Sequence, residues 1–210
     1  CGIAKGAGMI EPHMATMLAF LMTDAVVPRA DLVALFRRAA RSTFNALSVD
    51  GCESTNDTAL ILANGVAGNR PIEARRADGR RFGAMLEEVM GRLARAMAED
   101  GEGATKRIEI RISGARTRGD ARRIAYAIAR SNLVKTAFYG GDPNWGRIIA
   151  AAGSVGIPLP VDRVELFFED VRLCAAGRGE TPDQGRLDAI MKRPVIRIRL
   201  EIAMGNAECV

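Results

Sequence analysis

The chain has 210 residues, of which 48% are hydrophobic and 26% charged, with a formal net charge of +5. This composition is typical of a globular chain that folds as one compact domain or two small lobes, and no apolar run approaches the ~20 residues of a transmembrane helix, so no membrane partner is expected. Aromatic residues make up only 5% of the chain, which argues against nucleic-acid binding because bases would find few side chains to stack on.

The first half of the chain predicts two strands and two helices. An apolar run at 17–27 is too short for a membrane and predicts a buried strand. Apolar residues at helical spacing then predict a helix at 31–47, and a turn-rich stretch leads to a strand at 59–63. After an arginine-rich loop at 65–79, a second helix is predicted at 81–99, and we interpret its methionines as core-filling side chains.

The second half predicts three strands and two helices. Alternating apolar and polar residues predict strands, and helical spacing predicts helices. The strands are expected at 107–113, 163–169 and 194–202, and the helices at 118–131 and from Trp145 onward. This alternation indicates the α/β class, with helices layered on mostly antiparallel or mixed sheets.

The chain offers few residues suited to metal or redox chemistry. Its cysteines lie far apart without paired spacing, which argues against a disulfide framework or a zinc knuckle and favours a reducing compartment. They are Cys1, Cys52, Cys174 and Cys209. His13 is the single histidine, so a His-rich metal site and a two-imidazole relay are both excluded. We expect no metal ion and no bound cofactor.

Hydroxyl groups remain as candidate nucleophiles. The glycines near the start of the chain do not form a phosphate-binding loop, because Lys5 precedes them instead of following them. A threonine becomes reactive when the chain is cut before it, since its own α-amine, with a pKa of about 8, then serves as the base. The small residue Ala15 before Thr16 permits such a cut, although the residues alone do not require one.

Four blocks of the sequence, in order, resemble the ornithine acetyltransferases, the glutamate N-acetyltransferases of arginine biosynthesis. The likeness covers nearly the whole chain. The blocks are KGAGMIEPHMATMLA at 5–19, DGCESTNDT at 50–58, EDGEGATK at 99–106 and LVKTAFYGGDPNWGRI at 133–148. The resemblance implies that family's layered α/β fold, which is shared with a related self-cleaving (DmpA-like) scaffold.

The resemblance also implies a precursor that cuts itself between Ala15 and Thr16. Residues 1–15 would then end an α chain, and 16–210 would be a β chain truncated at its C-terminus, in an α₂β₂ assembly. Thr16 would take the acetyl group of N2-acetyl-L-ornithine and pass it to L-glutamate, as a double-displacement enzyme does. Some members also use acetyl-CoA as a co-substrate. The cytoplasm is the expected compartment.

The resemblance assigns substrate binding to Lys5, Thr16 and Glu102. Lys5 would meet an α-carboxylate, and Glu102 would meet the cationic end of ornithine. The family's oxyanion hole is a Thr-Gly pair upstream of these residues, so we expect the isolated chain to be inactive. The segments Asn56–Asp57 and 142–145 could shape the site or the subunit junction, and scaffolding is the preferred interpretation.

Two other functions remain open at this point. One is a non-catalytic fragment or assembly partner, and the other is an amidase or aminopeptidase on the related self-cleaving scaffold. Lys5 and Glu102 favour amino-acid acetyl transfer over peptide hydrolysis.

Overall fold

The computed structural model describes residues 1–11 and 17–210. They divide into two compact units, 1–104 and 105–210, so the two-lobed arrangement is observed. Each unit has its own sheet and its own hydrophobic core. Within the described residues, no helix combines the length and the apolar character needed to cross a membrane.

The first unit contains a three-stranded sheet and two long helices. The sheet has the order β1-β2-β3, with β1 antiparallel and β3 parallel to β2. Its elements are β1 (Gly2–Lys5), β2 (Leu18–Thr23), α1 (Arg29–Ser42), β3 (Thr58–Ala63) and α2 (Ala77–Glu99), with a short 3₁₀ turn at Phe44–Ala46. Both predicted strands and both predicted helices of this half are present, and β1 is an addition.

Within this unit, the sheet is covered by helices on one face. Successive residues of a strand point to opposite faces, and Ala19 and Leu21 of β2 belong to the core cluster that also contains Met90 of α2. On the opposite face, Leu60 and Leu62 of β3 are 46% and 59% exposed. The apolar runs at β2 and β3 therefore form strands that this unit buries on one side only.

The first helix, Arg29–Ser42, differs at both ends from the predicted 31–47, whereas the second differs from its predicted bounds only at its start. The first helix ends at Ser42 because Thr43 leaves the helical region, with φ −125° and ψ −90°. The second begins at Ala77, four residues before the expected start (81 − 77 = 4). Asp78 lies in its first turn, where a carboxylate is stabilised by the amide dipoles of the helix N-terminus.

One methionine of the second helix contradicts its interpretation as core filler. Met90 and Met97 are 0% and 4% exposed, as expected, but Met85 is 68% exposed. The helix buries one stripe along its length, and Leu86 occupies the buried position next to Met85. The methionine spacing alone therefore overstates the width of the buried face.

The second unit is a six-stranded sheet with four helices among its described residues. The strand order is β7-β6-β5-β8-β4-β9, in which β4 and β8 are parallel and the other pairs antiparallel. The elements are β4 (Arg107–Ala115), α3 (Arg118–Arg130), α4 (Asn132–Tyr139), α5 (Trp145–Gly153), β5 (Glu165–Phe168), β6 (Val171–Ala175), β7 (Arg178–Gly179), α6 (Gln184–Met191), β8 (Val195–Glu201) and β9 (Ala207–Cys209). The prediction of mixed, mostly antiparallel sheets is confirmed.

The elements missed in the second unit are short, and side-chain caps define the two helices among them. Ser131 accepts a hydrogen bond from the backbone N–H of Val134 at 3.3 Å and begins α4. Asp183 accepts one from the N–H of Arg186 at 3.2 Å and begins α6. Such caps satisfy the backbone N–H groups that have no partner within the helix. Both helices have only eight residues, which is too short for hydrophobic periodicity alone to predict them from the sequence.

Candidate functional site

The candidate site lies in the first unit, at the end of its sheet where β1 finishes and β2 and β3 begin. Lys5 is the last residue of β1 and pairs with Leu18, the first residue of β2, which in turn pairs with Thr58, the first residue of β3. The sheet therefore brings the blocks at 5–19 and 50–58 together. Lys5 is exposed, so its ammonium group is accessible to an anionic ligand.

Asp50 anchors the segment that follows β1. Its Oδ1 accepts a hydrogen bond from the N–H of Ile10 at 3.1 Å, and its Oδ2 accepts one from the N–H of Met9 at 2.5 Å. The N–H of Cys52 also donates to Oδ1, at 2.9 Å. Both carboxylate oxygens are thus used in fixing backbone, which is the ordinary work of aspartate in turns.

Glu102 lies against the same segment from the loop after α2. Its N–H donates to the carbonyl oxygen of Ala7 at 2.7 Å. Its carboxylate reaches Gly8 so closely that a Cβ at this glycine would lie 2.8 Å from Oε2. Because Glu102 is exposed, its charge stays accessible beside the glycine-containing loop that leaves Lys5.

Glu11 is the last described residue before segment 12–16, and it is buried. Its side chain is 1% exposed and accepts a hydrogen bond from the Ser48 hydroxyl at 2.6 Å. The carbonyl oxygen of Ile10 accepts the N–H of Val49 at 2.8 Å. A buried carboxylate is costly unless it is hydrogen-bonded, so these bonds fix the chain firmly at this point.

Met17 is the first described residue after segment 12–16, and both its backbone N–H and its carbonyl oxygen are hydrogen-bonded. Its N–H donates to Oδ1 of Asp57 at 2.7 Å, and its carbonyl oxygen accepts the N–H of Thr58 at 3.1 Å. The second oxygen of Asp57, Oδ2, is buried and has no hydrogen-bond partner among the described residues. Burial raises the pKa of Asp57, while the Met17 N–H and the charge of Lys5 act in the opposite direction.

The predicted nucleophile and cleavage residues, Thr16 and Ala15, lie outside the described residues, as does His13. The structure places Glu102 against the loop that follows Lys5. It places Met17, the covalent neighbour of Thr16, immediately before Leu18, the strand partner of Lys5. Chemically, an accessible cation and an accessible carboxylate suit a ligand that carries both charges, such as an amino acid. Among the described residues, no group of His, Cys, Asp and Glu side chains is arranged to hold a metal ion.

The sequence pattern does not single out Asp50, and for Asp57 it favours scaffolding over a role in shaping the site. The signal that was present is the placement of an aspartate at each end of the polar stretch 50–57. Local pattern predicts that such side chains bond backbone within their own turn. Their bonds to Met9, Ile10 and Met17, about forty residues away in sequence, depend on the sheet.

Comparisons with known proteins agree with the blocks found in the sequence. The model of the ArgJ family matches residues 1–210. The arginine biosynthesis bifunctional protein ArgJ of Geobacter sulfurreducens is 48% identical over 206 residues, which are 98% of this chain and 52% of that protein. The protein of the same name from Caldanaerobacter subterraneus is 45% identical over 209 residues, with 98% and 52% covered.

A solved structure shows the same fold. The crystal structure of arginine biosynthesis bifunctional protein ArgJ from Bacillus halodurans superposes with a TM-score of 0.87 at 32% identity, covering 90% of each chain. The present chain spans about half the length of the curated relatives that it matches. The resemblance to the acetyltransferases of arginine biosynthesis is confirmed by the family match over the whole chain and by the shared fold, and this chain belongs to the ArgJ family.

Proposed function

We propose that this chain is part of an enzyme that transfers an acetyl group from N2-acetyl-L-ornithine to L-glutamate, with Thr16 as the nucleophile. The observation that carries the proposal is that three features lie at the same end of the sheet. They are Lys5, the loop that Glu102 contacts, and Met17, the residue joined to Thr16. Membership of the ArgJ family supports this, because the matched relatives are named as bifunctional proteins of arginine biosynthesis.

The first step is self-cleavage between Ala15 and Thr16. The Thr16 hydroxyl attacks the carbonyl carbon of Ala15, and the peptide bond is replaced by an ester between Ala15 and the Thr16 side chain. That exchange releases the α-amine of Thr16. Water then hydrolyses the ester, which leaves a carboxylate on Ala15 and frees the Thr16 hydroxyl. The products are segments 1–15 and 16–210 of the present chain, the division predicted from the sequence.

The transfer reaction then proceeds in two halves. The Thr16 oxygen attacks the acetyl carbonyl of acetylornithine, the α-amine of Thr16 takes the hydroxyl proton, and that proton passes to the departing amine of ornithine. Glutamate follows, and its amine attacks the acetyl-threonine ester and regenerates the hydroxyl. Acetyl-CoA would enter as an alternative acetyl donor in the first half, and no tightly bound cofactor is required.

Lys5 and Glu102 give the site its selectivity in this proposal. Both substrates carry an α-carboxylate, which suits the exposed ammonium of Lys5. Only acetylornithine carries a cationic group on its side chain, which suits the carboxylate of Glu102. Hydrogen bonds to charged groups contribute about 1.5–3 kcal/mol each, so Glu102 should act mainly in the ornithine half of the reaction.

The assembly belongs to the proposal as well. The two cleavage products would stay together and pair as α₂β₂, in the cytoplasm. The Bacillus halodurans chain is matched over 90% of its length, whereas the curated relatives are matched over about half of theirs. The solved chain is therefore similar in size to the present one.

The test is intact mass spectrometry of the protein expressed from its complete gene, beside the variants Thr16→Ala and Thr16→Ser. Two chains split before Thr16 are expected for the wild type and a single uncut chain for Thr16→Ala, while Thr16→Ser keeps a hydroxyl and should cut slowly. Incubation with acetylornithine alone should then add one acetyl group to the chain that begins with Thr16.

Other outcomes distinguish the alternatives. An uncut wild-type protein would overturn the proposal and favour a non-catalytic assembly role. A cut protein that releases free acetate or amino acids from amides, without transfer to glutamate, would favour an amidase or aminopeptidase.

A further inference from the structure

We infer that Asp57 is a positioning residue for Thr16, because its carboxylate holds the backbone N–H of the peptide group through which Thr16 is joined to Met17. The inference rests on the proposed function, since it takes Thr16 as the nucleophile. It extends that proposal to a residue for which scaffolding is the preferred interpretation from the sequence and shaping of the site the alternative.

The first support is the way in which Met17 is held at the start of two parallel strands. Leu18 of β2 pairs with Thr58 of β3, and the Met17 carbonyl accepts the N–H of Thr58 as a regular ladder requires. Where the ladder would supply a backbone carbonyl to the Met17 N–H, the Asp57 side chain supplies Oδ1 at 2.7 Å instead. A side chain thus fixes the Met17 N–H.

The second support is the shortness of that bond. Its N···O distance of 2.7 Å is at the short end of the range for N–H···O hydrogen bonds. A nucleophile must be placed accurately, since a displacement of about 1 Å can cost about 10²-fold in rate. Asp57 lies where such a bond restrains the backbone immediately after the nucleophile.

The third support is a contrast between two aspartates of the same block. Asp50 uses both oxygens, which accept the N–H groups of Met9, Ile10 and Cys52. Asp57 uses one, and its second oxygen is buried without a partner among the described residues. Buried polar atoms are ordinarily hydrogen-bonded, so a purely structural role would favour the arrangement seen at Asp50. The free-energy cost of leaving the buried Oδ2 atom of Asp57 without a hydrogen bond is of a kind that functional sites tolerate.

The experiment compares Asp57→Asn, Asp57→Glu and Asp57→Ala in the protein expressed from its complete gene. Asparagine keeps an acceptor at the same distance from the backbone but removes the charge, whereas glutamate keeps the charge and moves both oxygens by one methylene. The measurements are the rate of self-cleavage by intact mass, and then kcat and KM for acetylornithine on the cleaved fraction.

A positioning role makes a specific forecast for the series. Asp57→Asn should cleave within about threefold of the wild-type rate, and Asp57→Ala and Asp57→Glu should cleave about tenfold or more slowly. In the cleaved protein the loss should fall on kcat, with KM changed by less than about threefold, because the side chain acts through the placement of Thr16 and not on the substrate.

The matched control is Asp31→Ala. The Oδ1 atom of Asp31 accepts the N–H of Ala74 at 2.9 Å, so this variant removes the same type of long-range bond in the same unit. It should lower stability without slowing cleavage. Thermal unfolding of every variant shows whether it is folded. If Asp57→Ala does not fold, the cleavage rates of Asp57→Asn and Asp57→Glu are compared instead, and they test the positioning role.

The inference is overturned if Asp57→Ala or Asp57→Glu cleaves and turns over as the wild type does, or if Asp57→Asn is as slow as Asp57→Glu. In those cases the wild type still cuts, so the proposed function stands. An uncut wild type would remove the proposed function and this inference together.

Discussion

Aspartate side chains hold the described residues on both sides of the segment 12–16. Asp50 fixes Met9 and Ile10 on one side, and Asp57 fixes Met17 on the other. Buried Glu11 adds a bond from Ser48 beside the first anchor. At the scale of single residues, the site is therefore defined by carboxylates that accept backbone N–H groups, and these are stronger acceptors than neutral oxygens.

Gly8→Ala tests the close approach of Glu102. A Cβ at Gly8 would lie 2.8 Å from Oε2 of Glu102, so the carboxylate must move, at little cost to the fold because it is the end of a flexible side chain. We expect KM for acetylornithine to rise about three- to tenfold, in the direction of a Glu102→Gln variant, with KM for glutamate less affected.

Steady-state kinetics with each substrate varied in turn provides the measurement for Gly8→Ala. The control is Gly153→Ala, since a Cβ at Gly153 meets nothing within 4 Å, and its kinetics should match the wild type. Equal rises in KM for both substrates would contradict the assignment of Glu102 to the cationic end of ornithine.

Asp57 gives the stability a pH dependence whose sign can be stated. Burial raises the pKa of Asp57, and the Met17 N–H and Lys5 oppose this only partly. Between the ordinary carboxyl pKa of about 4 and the raised value, the folded chain holds a proton that the unfolded chain has lost, so stability falls as the pH rises. Asp57→Asn lacks this titration, so its unfolding free energy relative to that of the wild type should rise as the pH increases from about 4 through the raised pKa of Asp57.

Urea unfolding of the wild type and Asp57→Asn at several pH values measures that difference. The Asp31→Asn variant serves as the comparison, because Asp31 also accepts a backbone N–H. A difference between wild type and Asp57→Asn that does not change with pH, or that shrinks as the pH rises, would contradict the expectation.

At the scale of elements, the long helices and strands have a hydrophobic periodicity that predicts them from the sequence. The helix α2 and the strands β3, β4 and β8 were predicted within a few residues of their observed bounds, because periodicity extends over several turns or alternations. The short elements β1, α4 and α6 were missed, because four to eight residues show too little periodicity and caps or distant strand partners define their ends.

Asn144→Ala tests the interpretation of segment 142–145 as scaffolding. The Asn144 side chain accepts the N–H of Arg147 at 3.1 Å and donates to Asp142 at 3.0 Å, which caps α5. Removing such a cap costs about 1 kcal/mol, so the melting temperature should fall while kcat stays unchanged. Asn144→Asp keeps an acceptor for the cap and should lose less stability.

Thermal unfolding and transfer kinetics on the same preparations check this prediction. A loss of kcat in Asn144→Ala without a fall in melting temperature would contradict the scaffolding interpretation and place the segment in the chemistry.

On the scale of the whole molecule, the described chain has two hydrophobic cores. One contains Leu35, Leu86 and Met90, and the other contains Ile112, Leu166 and Ile198. The described residues of each unit thus contain what a domain needs, since independent folding depends on a core of its own.

Residues 105–210 are therefore expected to fold without the first unit. Unfolding of this fragment in urea, followed by circular dichroism, should show one cooperative transition. Ile198→Ala in the same fragment should lower the unfolding free energy by about 2–5 kcal/mol, because Ile198 is only 1% exposed. A fragment without a cooperative transition would show that its core is insufficient alone.

The sequence by itself determined the α/β class, the longer elements and the family, because hydrophobic periodicity and contiguous motifs are local and survive in a linear string. It also indicated Lys5 and Glu102, through blocks that resemble a known family. Only the tertiary structure decided that Lys5, Leu18 and Thr58 share one row of a sheet, and that Asp57 holds the Met17 N–H. Those contacts join residues 13 to 40 positions apart in the sequence, and their geometry follows from strand pairing, which local pattern does not specify.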